Sequence, residues 1–174
     1  MKYHLNIILL AVRAMIIVTI VFTGIQLFKA YTTFLNPADF ENTVREEFAT
    51  ISKELAISTE ALPYFHILCA ILWGYLVYIL IILYRSFDRL QKGEIFYDKQ
   101  AVAFKKAGEG IIIFAKCKYL LVCVFGVFFF RSLSVFIKEI PMFLVVYLLG
   151  KLVLVLYYLA EKGTFLKEET DLTI

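Results

Sequence analysis

Two histidines (His4 and His66), three cysteines (Cys69, Cys117 and Cys123) and Lys151, set in an apolar run, are the side chains of this sequence best placed to do chemistry. Zinc chemistry on a helix needs two histidines about one turn apart, and His4 and His66 do not pair at such a spacing. Dithiol chemistry needs a Cys-x-x-Cys pair, and the three cysteines form none, so buried structural thiols are the expectation. The chain has neither a Gly-rich phosphate loop nor a Gly-x-Ser-x-Gly elbow. No catalytic, metal or cofactor-binding residue is therefore assigned, and the chain is expected not to be an enzyme.

Lys151 is the residue that an apolar run tolerates least. A charge near the middle of a membrane span costs at least about 2.5 to 3.5 kcal/mol unless it is paired or hydrated. Two readings stand. In one, Lys151 faces the interior of a helix bundle and donates to backbone carbonyls or to a tyrosine hydroxyl, Tyr147 or Tyr78. In the other, it binds an anion or a lipid headgroup in a cavity. Proton-coupled cation export would need a titratable carboxylate at membrane depth, and the expected spans contain none.

The elements that must position these residues are long and apolar. Of the 174 residues 61% are hydrophobic and the mean hydropathy is +0.81, more than a water-soluble domain can hide in one core. A helix needs roughly 20 apolar residues to cross about 30 Å of hydrocarbon. Four segments qualify, at about Leu5–Phe28, Tyr64–Tyr84, Ile111–Phe130 and Pro141–Leu159, so an all-α membrane protein of one integral domain is expected. The first segment lacks the short apolar core and small-residue cleavage site of a signal peptide.

Orientation follows from the loops. The inner loop, residues 85–110, carries six cations (Arg85, Arg89, Lys92, Lys99, Lys105 and Lys106). The outer loop, residues 29–63, carries three (Lys29, Arg45 and Lys53) against six acids. Positive loops stay in the cytoplasm, which places both termini there. The net charge of +3 is too small to argue for nucleic-acid binding, and the basic loop reads as a topology signal and an anionic-lipid contact.

Both loops carry helical signals. In the outer one Phe40, Val44, Phe48, Ile51 and Leu55 form one apolar stripe after a cap at Asn36 and Pro37, which predicts an amphipathic helix covering the bundle mouth or sensing an external ligand. In the inner one Gly93 marks a turn, after which Asp98 caps a cytoplasmic interfacial helix that feeds through Gly108 and Gly110 into the third span. Arg13, Lys29, Lys116 and Lys118 are expected to snorkel to the interfaces. Gly24, Gly74, Gly126 and Gly150 permit close helix approach, within the chain or in a homo-oligomer, but none belongs to a Gly-x-x-x-Gly pair within a span.

The chain ends in an acidic tail, residues 160–174, in which Glu168, Glu169 and Asp171 offer a docking face for a basic partner; alternatively they pair with Lys99, Lys105 or Lys106. The turn Leu90-Gln91-Lys92-Gly93-Glu94-Ile95-Phe96, the step Ala107-Gly108 into the third span, and the ending Glu169-Thr170-Asp171-Leu172-Thr173-Ile174 resemble those of domain-of-unknown-function group 2975. That group comprises four-span bacterial inner-membrane proteins. The outer helix and Lys151 depart from its usual arrangement. Members are often encoded beside a small helix-turn-helix regulator of the Cro/C1 type, so the resemblance implies a membrane component of a regulatory pair and carries over no catalytic residues. The expected function is signalling through such a cytoplasmic regulator. The alternative is a small transporter or a lipid- or anion-binding module built around Lys151.

Overall fold

Apolar runs of this length leave the backbone no partner but itself, since hydrocarbon offers no hydrogen bonds; the described residues of these segments are accordingly helical. The computed structural model describes residues 2–36, 61–93, 98–128 and 134–171, with side chains for 3–36, 61–93, 99–128 and 134–163. It contains α1 (Lys2–Leu35), α2 (Leu62–Gln91), α3 (Asp98–Phe128) and α4 (Val135–Asp171). All four are long and apolar enough to cross a membrane, the qualifying stretches being Tyr3–Leu35, Leu62–Gln91, Lys99–Phe128 and Val135–Gly163. This is an all-α, multi-pass membrane protein. The proposed outer-loop helix over residues 37–60 lies outside the described residues.

Each helix begins before the apolar segment that predicts it, and α1, α2 and α4 also run past its end, because intrahelical bonding continues wherever no residue interrupts it. At the start of α4 the carbonyl of Ser134 accepts from the N–H groups of Ile137 and Lys138, so the helix is under way before Pro141. That placement puts Glu139 inside α4, which corrects the expectation that no carboxylate lies within a span. The segment after Asp98 and the third span form one unbroken helix through Gly108 and Gly110. At the other side of that connection the chain turns as expected: the Lys92 N–H bonds back to Asp88 and Arg89, and Gly93 takes φ +91°, which favours glycine.

The helices pack as a row. α1 lies along α2, α3 along α4, and α2 against α3, while α1 and α4 share no comparably broad contact among the described residues. Leu62, Phe65, Cys69, Leu76, Ile79, Leu80, Leu83 and Phe87 recur at helical spacing on the buried side of α2. They belong to two clusters. One gathers Leu76, Ile79, Leu83 and Phe87 with Leu9, Val12, Phe104, Ile111 and Phe114. The other gathers Leu62, Phe65 and Cys69 with Val122, Phe125 and Val135. Trp73 packs against both.

α3 and α4 come closest at a pair of glycines. A Cβ on Gly150 would stand 3.1 Å from the Gly108 carbonyl oxygen, and one on Gly108 would stand 3.0 Å from the Gly150 oxygen. In a membrane, where helix association relies on packing, this backbone approach requires two residues without side chains. Gly24 and Gly74 face open space instead.

Candidate functional site

Polar side chains gather where the two apolar clusters meet. α1 brings Gln26, the first turns of α2 bring His66, the second half of α3 brings Lys118, and the first turns of α4 bring Lys138 and Glu139. Together with Phe22, Phe65 and Trp73 they line a pocket of about 250 Å³. The antiparallel row explains the convergence, since the end of α1, the start of α2, the end of α3 and the start of α4 all lie on one side.

His66 is the most enclosed polar group there, at 2% exposure. Its Nδ1 lies 2.8 Å from Gln26 Oε1. With the Gln26 oxygen toward the ring, Nδ1 donates and Nε2 is left as an acceptor; the opposite orientation of the amide exchanges the two roles. Nε2 is buried without a hydrogen-bond partner, a condition it shares with Ser86 Oγ among the described residues. An unsatisfied buried polar atom of this kind costs about 1–3 kcal/mol.

Across the pocket Lys118 Nζ stands 3.9 Å from Glu139 Oε2 and 5.8 Å from the centre of the Trp73 ring. Trp73 in turn stacks on Phe22, with centroids 5.1 Å apart, and tilts against Phe114 at 5.4 Å. Lys118 was expected to snorkel toward the inner interface. It cannot, because α3 starts at Asp98 and the intervening turns place Lys118 about 30 Å along the helix, at 1.5 Å per residue, nearer the opposite end. Its ammonium turns inward to a ring face and a carboxylate instead. Lys116 remains exposed.

Lys151 behaves differently from either reading of it. It sits on the exposed side of α4, lines neither this pocket nor the apolar cleft described below, and its Nζ lies 5.5 Å from the centre of the Tyr147 ring. The contact is with the ring face and not the hydroxyl. Tyr78, the other expected partner, accepts from Lys106 Nζ at 2.9 Å. Arg13 also departs from simple snorkelling: its Nε donates to the Tyr84 hydroxyl at 2.8 Å, with the guanidinium 5.1 Å from the ring centre. Lys105 lies 5.6 Å over Tyr157, whose hydroxyl donates to Glu161 at 2.7 Å. Tyrosines, which offer both a π face and an oxygen, are thus the common partners of the cations in this bundle.

Beside the pocket runs an apolar cleft of about 740 Å³ between α1 and α4. Its walls include Met15 and Val18 of α1, Leu76 and Leu83 of α2, Phe114 of α3, and Val145, Leu149 and Leu156 of α4. Phe22, Trp73 and Lys118 belong to both spaces. Of the cysteines, Cys69 and Cys123 are buried as expected, whereas Cys117 is exposed on α3. The tail acids do not meet the pocket in sequence or along the helix: α4 continues through Glu168 and Glu169 to Asp171, at the end remote from Glu139.

The sequence reading missed Gln26, His66, Lys118, Lys138 and Glu139 as a group. The available signal was level: counted from the connection between α3 and α4, Lys118 and Glu139 lie on the same half of an antiparallel pair. No curated protein and no solved structure matches the chain. A family model described as protein of unknown function (DUF2975) matches residues 47–174, a range that takes in α2, α3 and α4 whole. The chain that carries this pocket and cleft belongs to the DUF2975 family.

Proposed function

We propose that the chain is a non-enzymatic regulatory protein of the bacterial cytoplasmic membrane, with both termini inside, that relays the state of the pocket to a cytoplasmic helix-turn-helix regulator. The observation that carries this reading is the continuity of α4. Its 37 residues extend about 55 Å at 1.5 Å per residue, against about 30 Å of hydrocarbon, so one continuous helix, with Pro141 inside it, has Lys138 and Glu139 at one end and the Glu168, Glu169 and Asp171 positions at the other. A shift of α4 at the pocket is felt at the tail. There the acids compete with DNA phosphate for the regulator's basic face.

The rival role for the tail, pairing with the inner-loop lysines, has fewer partners to draw on, since Lys105 and Lys106 turn to Tyr157 and Tyr78. The transport or lipid-binding alternative is better centred on Lys118 than on Lys151, because Lys118 is the lysine that borders both spaces. The test is a tagged pull-down from native membranes, comparing the intact chain with one ending at Leu166. Recovery of a small DNA-binding protein with the intact chain alone is the expected result. Equal recovery with both chains, or with neither, overturns the tail's role.

A further inference from the structure

The pocket and the cleft are two halves of one shape. They share Phe22, Trp73 and Lys118; the pocket sets Gln26, His66, Lys118, Lys138 and Glu139 among apolar side chains, the cleft is almost wholly apolar, and a ligand occupying both is matched by a polar head on an apolar tail. Along α4 the cleft runs from Met142 to Leu156, about 21 Å at 1.5 Å per residue, and along α2 from Trp73 to Leu83, about 15 Å. Half the hydrocarbon thickness of a bilayer is roughly 15 Å, so the cleft has the length of one acyl chain in one leaflet. Four helices packed as a closed square would have filled this space; among the described residues α1 and α4 share no broad contact, which leaves it open.

The head is constrained by three observations. Lys118 and Lys138 outnumber Glu139, which gives the pocket lining one excess positive charge and selects an anion. His66 lines the pocket with its Nε2 buried and without a partner, which selects a head that also bears a hydroxyl, a group able to donate to that nitrogen or accept from it. The 3.9 Å separation of Lys118 and Glu139 is long for a charge-assisted bond, so Lys118 retains capacity to donate elsewhere.

We propose that the pocket and cleft together bind a membrane amphiphile with an anionic, hydroxyl-bearing head, its head against Lys118, Lys138 and His66 and one acyl chain between α1 and α4. This deepens the proposed function by naming what the pocket senses and rests on the pocket being its input. The binding itself stands or falls independently of the tail.

Trp73 is the single tryptophan of the chain and lies at the junction of head and tail sites, so it reports occupancy directly. The full chain is reconstituted in phosphatidylcholine nanodiscs, and brominated-chain phosphatidylglycerol, phosphatidylethanolamine or phosphatidylcholine is added in steps, bromine quenching the indole on contact. Phosphatidylglycerol is expected to reach half-maximal quenching at about a tenfold lower mole fraction than the other two, the factor that one ordinary charge-assisted hydrogen bond commands. Lys118→Gln removes this preference. Lys138→Gln, at an exposed side chain of the same pocket, lowers it. Equal quenching by all three lipids overturns the proposal, and so does a phosphatidylethanolamine response equal to that of phosphatidylglycerol. The chain ending at Leu166 is expected to keep the full lipid preference, so a failed pull-down and a failed quenching series are separate results.

Discussion

Removing the carboxylate of Glu139 tests whether the pocket's charges hold the helices together. At the observed 3.9 Å, two unit charges attract by about 4 kcal/mol at an effective dielectric constant of about 20. Desolvation takes back part of this, but only part, because the Lys118 and Glu139 side chains keep 25% and 32% of their surface exposed. Glu139→Gln leaves the Lys118 ammonium with the Trp73 ring as its remaining described partner, and an incompletely compensated cation in a span should cost about 2 kcal/mol. Lys118→Met strands the carboxylate and should cost a similar amount. The double variant should cost about 2 to 3 kcal/mol, not 4, since the second change removes the stranded charge that the first one leaves, while the Gln and Met side chains do not restore the original contacts. The predicted coupling is therefore about 1–2 kcal/mol. It is measured as a double-mutant cycle on purified protein unfolded from mild detergent by increasing SDS, with Trp73 fluorescence as the signal. Additivity of the two single changes to within about 0.5 kcal/mol would refute the pairing.

Three further outcomes follow from the packing and the proposed topology. Gly150→Ala places a methyl group 3.1 Å from the Gly108 carbonyl oxygen and 2.7 Å from Ile112 Cγ1, so the α3–α4 pair should lose about 1–3 kcal/mol in the same SDS titration, whereas Gly74→Ala, which meets open space, should not destabilise by this route. Tyr84→Phe removes the oxygen that accepts from Arg13 but retains the ring, and a loss of about 1 kcal/mol is expected by thermal unfolding in detergent, smaller than the loss for Tyr84→Ala. In intact cells a membrane-impermeant maleimide should label Asn36→Cys and spare Lys92→Cys in a cysteine-free background; the reverse pattern would invert the orientation drawn from the loop charges.

The four spans were legible because continuous apolar runs have one stable form in hydrocarbon. Helix ends were less so: the apolar criterion stops at the first charge, but hydrogen bonding does not, and α4 therefore starts before Pro141 and ends past Glu169. That difference moved Glu139 from a loop into a helix. The pocket was illegible for a further reason. Gln26 and His66 lie 40 residues apart, and Lys118 and Glu139 sit on different helices, so each partner looks in sequence like an isolated polar residue near a span end. Lys151 drew attention because a single sequence shows depth but not facing direction. Its contact with Tyr147 is a local i, i+4 one along α4, whereas its facing direction depends on the rotation of α4, which is set partly by Gly108 and Gly150.

The row of helices also has a mechanical meaning. Two hairpins, α1 with α2 and α3 with α4, are joined along the single seam between α2 and α3, like the leaves of a book. A few degrees of rotation at that spine change the opening between the outer leaves along their whole length. The volume available between α1 and α4 and the sideways position of the far end of α4 are then one variable. Among the described residues no broad contact between the two outer helices opposes that rotation.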